Sequence, residues 1–155
     1  MRFQGVLRKD GGFWLAEVPV FDAMTQGRSR KEALAMVVDW FVAMVDRKGF
    51  TVEIQPTGRE RFEISTVDAR RMISLMLQRQ RHKSGLSLAQ VAERLGVKSR
   101  NAYARYEQGV SVPTVDKLDE LLRAVAPGCD LVLQQSASPA RHWSGASAAG
   151  ARTSA

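Results

Sequence analysis

Three features of the chain predict an α+β protein. A hairpin signal, Asp10-Gly11-Gly12, separates two apolar segments near the start, and a capped helix follows them. After residue 65 the apolar period then switches from two to 3.6. Residues 1–65 are therefore expected to form a β-β-β-α-β unit with a fifth strand, and residues 66–133 a compact set of short helices. Residues 134–155 are Ser/Ala/Gly-rich and expected to be disordered, His142 and Trp143 included.

The elements follow in order. Residues 3–8 and 13–18 read as strands, because Asp-Gly accommodates the positive φ of a tight hairpin. Phe13, Trp14, Leu15, Ala16 and Val18 place apolar groups on both faces, and Pro19 closes the run. Ala23 to Gln26 reads as a third strand, with Gly27 turning the chain. Ser29 and Glu32 have the spacing of a capping box, and Gly49 is placed to end the helix that they start. Leu34, Val37, Val38, Phe41 and Val45 make its core face. Met36, Trp40 and Ala43 fall largely on another side, either as a protein interface or, for Trp40, as packing at the edge of its own domain. Thr51 to Gln55 and Arg61 to Ser65 alternate as strands around a Pro56-Thr57-Gly58 turn.

In the second part, Ser65 with Asp68 is read as the start of a helix ending near Gly85. Ser87 with Gln90 opens a short helix through Leu88, Val91, Ala92 and Leu95, stopped by Gly96. Ser99 caps the next helix, which reaches Gln108 before Gly109. Pro113-Thr114 starts the last, with Val115, Leu118, Leu121, Leu122 and Val125 as its core face. Leu131 to Leu133 is read as a final strand, available to a second copy of the chain.

Composition narrows the class. The chain has 155 residues, 45% of them hydrophobic and 25% charged, as in a soluble globular protein. No window approaches the length of a membrane span, and the start, Met-Arg-Phe-Gln-Gly, has no basic-then-apolar leader. Cys129 is the single cysteine, which fits a reducing cytoplasm; with only His82 and His142, no zinc site and no other metal or cofactor is expected.

The formal charge is +7, unevenly distributed. Nine cations (Arg70, Arg71, Arg79, Arg81, Lys83, Arg94, Lys98, Arg100, Arg105) lie between positions 70 and 105 with one acid, Glu93. Such a cluster is either a solvated helix surface or the footprint of phosphate binding. Val91-Ala92-Glu93-Arg94-Leu95-Gly96-Val97 favours the second. A small residue sits where two helices cross, a glycine where the turn is left-handed, and an apolar residue beneath it. This is the physical recipe of a helix-turn-helix. Gln90, Lys98, Ser99, Arg100, Asn101 and Arg105 are the expected contacts with double-stranded DNA. Arg suits a guanine edge, Asn an adenine edge, and Ser99 at the helix N-terminus a phosphate.

The stretch, with Tyr103, Tyr106, Glu107, Gly109 and Pro113, resembles the Cro/repressor-like (XRE-type) family. That resemblance implies that Tyr103 and Tyr106 pack inward and that Glu-x-Gly ends the recognition helix. Two departures are a turn one residue longer than usual and Leu88 where the family often has Gln. The first domain, through Gly11-Gly12-Phe13-Trp14, Val18-Pro19, Thr25-Gln26-Gly27 and Ser29 to Leu34, resembles the HicB antitoxin family. It departs at Val20-Phe21-Asp22-Ala23, where that family typically reads Leu-Pro-Gly-Cys. The resemblance covers about residues 1–125. It implies a partial RNase H-like fold, a HicA-like RNA-cleaving toxin as partner and repression of the chain's own operon.

No enzyme activity is expected. Asp10, Glu17, Asp22 and Glu32 show no spacing that compels convergence on Mg²⁺, and His82 has no evident nucleophile beside it. The alternative classes are a stand-alone ligand-responsive regulator and a hydrolase merely targeted by its helix-turn-helix. A homodimer or higher oligomer is expected, with the dimer contact through Leu131 to Leu133 and the last helix, because pseudo-palindromic operators are read by two copies.

Overall fold

A computed structural model describes residues 1–133; the expectations for the tail, with His142 and Trp143, lie outside the described residues. The chain begins with strands β1 (Arg2–Asp10), β2 (Phe13–Val18) and β3 (Ala23–Gly27), followed by helix α1 (Arg30–Val45). Strands β4 (Glu53–Pro56) and β5 (Arg61–Ser65) complete an antiparallel sheet in the order β3-β2-β1-β5-β4. Four helices follow: α2 (Ala69–Lys83), α3 (Leu88–Arg94), α4 (Arg100–Glu107) and α5 (Val115–Val125).

Alternation along the strands divides the sheet's two faces. Leu7, Ala16, Val18, Phe62 and Ile64 are buried on the face that α1 covers, whereas Gln4, Val6, Arg8 and Arg61 on the other face are exposed. The β2 strand is thus covered on one side only: Phe13 is exposed, and Trp14 and Leu15 are half-buried. Gly5 is obligatory for a packing reason, since the Phe62 ring occupies the space its Cβ would need. Phe21 stacks edge-on to both Phe3 and Phe41, with ring centroids 4.8 Å apart in each pair.

Most helix boundaries follow the local signals, with three shifts. Ser29 Oγ accepts from the Glu32 N–H at 3.1 Å, but the Glu32 carboxylate takes the Arg28 N–H instead of closing the box. Helix α1 ends at Asp46, left-handed at φ 46°, three residues before Gly49, whose own φ of 79° turns the following loop. The N-cap of α2 is Asp68, accepting from the Arg71 N–H; Ser65 is drawn into β5, paired with Arg2 and Glu53. Between β2 and β3, Asp22 takes the left-handed conformation at φ 50° after a 3-10 turn, a role Asp tolerates and Gly usually fills.

Helix α2 connects the sheet to the helices. Gln80 is buried and donates to the Val20 carbonyl at 2.8 Å. Arg79 donates to the Phe21 and Asp22 carbonyls at 3.1 and 3.0 Å. One hydrophobic cluster runs from Leu7 through Met72 to Val125. No helix of the described residues is long and apolar enough to cross a membrane. The expected strand at Leu131–Leu133 is not formed: these residues have no regular structure and are exposed. The apolar face of α5 is likewise spent on its own core, with Leu118, Leu121, Leu122 and Val125 buried. Only Val115, 75% exposed, remains outside it.

Candidate nucleic-acid interface

Helices α3 and α4 are set by complementary start and stop signals. The Ser87–Gln90 box is fully formed: Gln90 N–H donates to Ser87 Oγ at 3.2 Å and Ser87 N–H to Gln90 Oε1 at 2.8 Å. At the other end of α3, Gly96 is left-handed at φ 66°. Its N–H reaches the Glu93 carbonyl and that of Val97 the Ala92 carbonyl, each at 3.0 Å, which satisfies two carbonyls otherwise orphaned. Val97 is half-buried beneath the turn, and Ser99 then caps α4 by accepting the Asn101 N–H at 3.2 Å.

Helix α4 turns Tyr103 and Ala104 inward, both buried. Tyr106, expected to pack inward as well, does so in part. It is half-buried and packs against the core cluster. Tyr103 Oη donates to the Leu77 carbonyl at 3.4 Å. Burial, and then the nearby Glu107 carboxylate, push the Tyr103 phenol far above its ordinary value. The linked stability is fully present below pH ~10, where unfolded Tyr ionises, and is lost as the pH rises beyond it. Denaturation at stepped alkaline pH should show this decline, and Tyr103→Phe should flatten it. An unchanged alkaline slope in the variant would count against the assignment.

Glu107 accepts two hydrogen bonds from Arg81 of α2, Nε to Oε1 at 2.7 Å and Nη2 to Oε2 at 2.9 Å. The two side chains are only 12% and 7% exposed, for Arg81 and Glu107 respectively. Arg81 Nη1 also donates to the Leu86 carbonyl at 2.9 Å, and the hydrogen bonds of Glu107 hold the guanidinium above its usual pKa. Two residues on, Gly109 is buried at φ 69°, and a side chain there would press on Arg71 and Ser74. Glu-x-Gly is therefore both a helix stop and the clamp that fixes α4 on α2.

All six expected DNA contacts are exposed. Asn101 and Arg105 share the outward side of α4, opposite Tyr103, Ala104 and Glu107, while Lys98, Ser99 and Arg100 surround its N-terminus. Among the described residues, Lys98, Arg100 and Arg105 have no carboxylate partner; Arg105 Nε donates to Ser111 Oγ at 3.3 Å. Gln90 spends its carbonyl oxygen on the capping box and keeps its amide N–H groups. Ser99 Oγ accepts one bond and keeps its hydroxyl proton to donate. Two exposed residues on the same side escaped the sequence reading, Ala102 and Gln108. The first offers a methyl group of the kind that meets thymine, a signal too slight to notice before the register is known. Arg94, counted in the basic cluster, is committed elsewhere: it donates to the Ala124 carbonyl at 2.9 Å and ties α3 to α5.

In the first domain, Met36, Trp40 and Ala43 line a groove of about 590 Å³ with Leu15, Met24 and Gln26. Trp40 packs at the edge of its own domain, as one of its two readings expects. Its ring is half-buried, edge-on to Phe41 at 4.9 Å and with the Arg79 guanidinium 5.7 Å from its centroid, while it still opens onto the groove. Asp22 is paired with Arg79 at 3.3 Å and Lys83 at 3.6 Å. Among the described residues, no three His, Cys, Asp or Glu side chains gather as a metal site.

Residues 74–129 match the family model of a helix-turn-helix domain, a span that begins within α2 and ends just after α5. The C-terminal helices are thus a helix-turn-helix of the DNA-binding kind, carried behind an antiparallel sheet. No curated protein sequence matches the chain significantly.

Proposed function

We propose that the chain is a non-catalytic, cytoplasmic antitoxin of the HicB type. It neutralises a HicA-like RNA-cleaving toxin by direct binding and represses its own operon as a dimer. The observation that carries the regulatory half is the outward side of α4, where Asn101 and Arg105 stand beside unpaired Lys98 and Arg100. Support for the antitoxin half comes from the order of motifs and where they fall: Gly11-Gly12 in the first turn, Thr25-Gln26-Gly27 completing β3, and Ser29 capping α1. Three antiparallel strands leading into a helix are compatible with the partial RNase H-like fold that the resemblance implies. Met36, Trp40 and Ala43 serve as a protein-binding surface of this domain. No cofactor, metal or catalytic residue enters the reading; Asp22 and Glu32 are occupied in an ion pair and a cap.

Coexpression with the neighbouring short reading frame tests the antitoxin half. A stable complex should copurify, and the neighbour expressed alone should arrest growth. Normal growth together with no copurification would sink it. A second reading, a ligand-responsive regulator, is favoured by one observation. A cleft of about 540 Å³ lies beside the start of α2 and is lined by Arg47, Lys48, Asp68 and Arg71, with Arg71 Nη1 3.5 Å from the Gln108 carbonyl at the end of α4. An operator affinity that shifts with a small anionic metabolite would support that reading instead.

A further inference from the structure

A tether sets Arg105 apart from the other cations around α4. Its Nε donates to Ser111 Oγ at 3.3 Å, whereas no side chain of the described residues is bonded to Lys98 or Arg100. Ser111 is itself held in place. Left-handed Gly109 turns the chain back over the end of α4, and the Val110 and Ser111 N–H groups both donate to the Arg105 carbonyl, at 2.9 and 3.1 Å. Ser111 therefore engages the main chain and the side chain of the same arginine. Ser111 is half-buried and Arg105 exposed, so the anchor belongs to the fold and the guanidinium to the surface.

A guanidinium carries five N–H donors, of which Nε supplies one. With that one committed to Ser111, the donors on Nη1 and Nη2 stay free, and the direction of the planar group is set before any ligand arrives. A bidentate contact with the O6 and N7 edge of guanine needs two parallel donors, which the terminal nitrogens supply. An untethered arginine gives up rotamer freedom when it binds; a tethered one has given up much of it on folding. We infer that Ser111 is a positioning residue for base reading, which aims the Arg105 fork at a guanine edge. The inference deepens the regulatory half of the proposed function and rests on α4 being the reading helix.

A double-mutant cycle on the full chain tests it. A duplex selected by the wild type from a random-sequence library serves as the specific probe, and an unrelated duplex as the non-specific one. Ser111→Ala should weaken binding to the selected duplex about fivefold, the worth of one neutral hydrogen bond. It should leave binding to the unrelated duplex, and its salt dependence, as in the wild type. Arg105→Ala should weaken specific binding further, and adding Ser111→Ala to it should then change nothing, because no guanidinium remains to be aimed. Ser111→Thr, which keeps the hydroxyl, should bind like the wild type. Wild-type-like specific binding by Ser111→Ala, or an equal loss with Arg105 already removed, overturns the inference while leaving α4 as the reading helix. Wild-type-like specific binding by Arg105→Ala overturns it as well, and counts against Arg105 as a base contact.

Discussion

Replacing Glu107 with alanine should cost roughly 3–5 kcal/mol of stability, the largest loss expected from any single charged position in the chain. The reason lies with what remains. Arg81 cannot lose its proton, and its side chain is only 12% exposed, so the variant keeps a buried cation that has lost both charge-assisted hydrogen bonds. Two contacts, to the Leu86 carbonyl and to the His82 ring nitrogen, survive. Substituting both partners with apolar residues of similar volume, Arg81→Met with Glu107→Leu, should recover most of the loss, because no unpaired charge is then buried. Urea denaturation of the single and double variants measures both effects. A loss below about 1 kcal/mol for Glu107→Ala would place the pair among the weakly contributing surface bridges. The double variant also separates fold from function: if it is stable yet binds DNA poorly, the pair serves to orient α4 and not merely to hold it.

The features legible in the sequence are those decided within four or five residues. The Ser87–Gln90 box, the Ser99 and Thr114 caps and the left-handed glycines at 85, 96 and 109 are all of this kind, since each signal and its partner lie on one turn. Where a local signal competes with a distant one, the reading slips. Ser65 could cap a helix, but pairing with Arg2 in β1 places it in the sheet, and Asp68 takes over the cap. Gly49 could end α1, yet Asp46 accepts the left-handed turn first and lets the chain fold back toward β4. The clamp between Arg81 and Glu107 was invisible for the same reason. The residues are 26 apart in sequence, and nothing local marks Arg81 among its basic neighbours.

The basic cluster also separates into roles that only the structure distinguishes. Arg79 and Lys83 face Asp22 and the sheet; Arg81 is clamped to α4; Arg94 is bonded to α5. What began as nine cations in a row leaves Lys98, Arg100 and Arg105 as those grouped around the outward side and N-terminus of α4. Helix α2 holds the sheet through Arg79 and Gln80 and α4 through Leu77 and Arg81, so its alternating contacts set how α4 stands relative to the first domain.

Alanine at both Arg100 and Arg105 should then abolish operator recognition while leaving the fold intact. A bidentate arginine contact with a base edge contributes roughly 1–3 kcal/mol of discrimination, so the pair together should lower specific affinity by about 2–6 kcal/mol if the two act independently. Both side chains are exposed and without carboxylate partners, and Arg105 loses only one bond, to Ser111, so stability should change little. The comparison that gives the experiment its force is with Lys98→Ala. A phosphate contact weakens binding to all sequences alike and reduces the salt dependence by about one released counterion, whereas a base contact relaxes preference at one position and spares non-specific binding. Asn101→Ala adds a third, separable signature, loss of preference at an adenine. Operator binding like that of the wild type in the Arg100→Ala, Arg105→Ala chain would mean that α4 is not the reading helix. The exposed charge would then have to be explained as solvation alone.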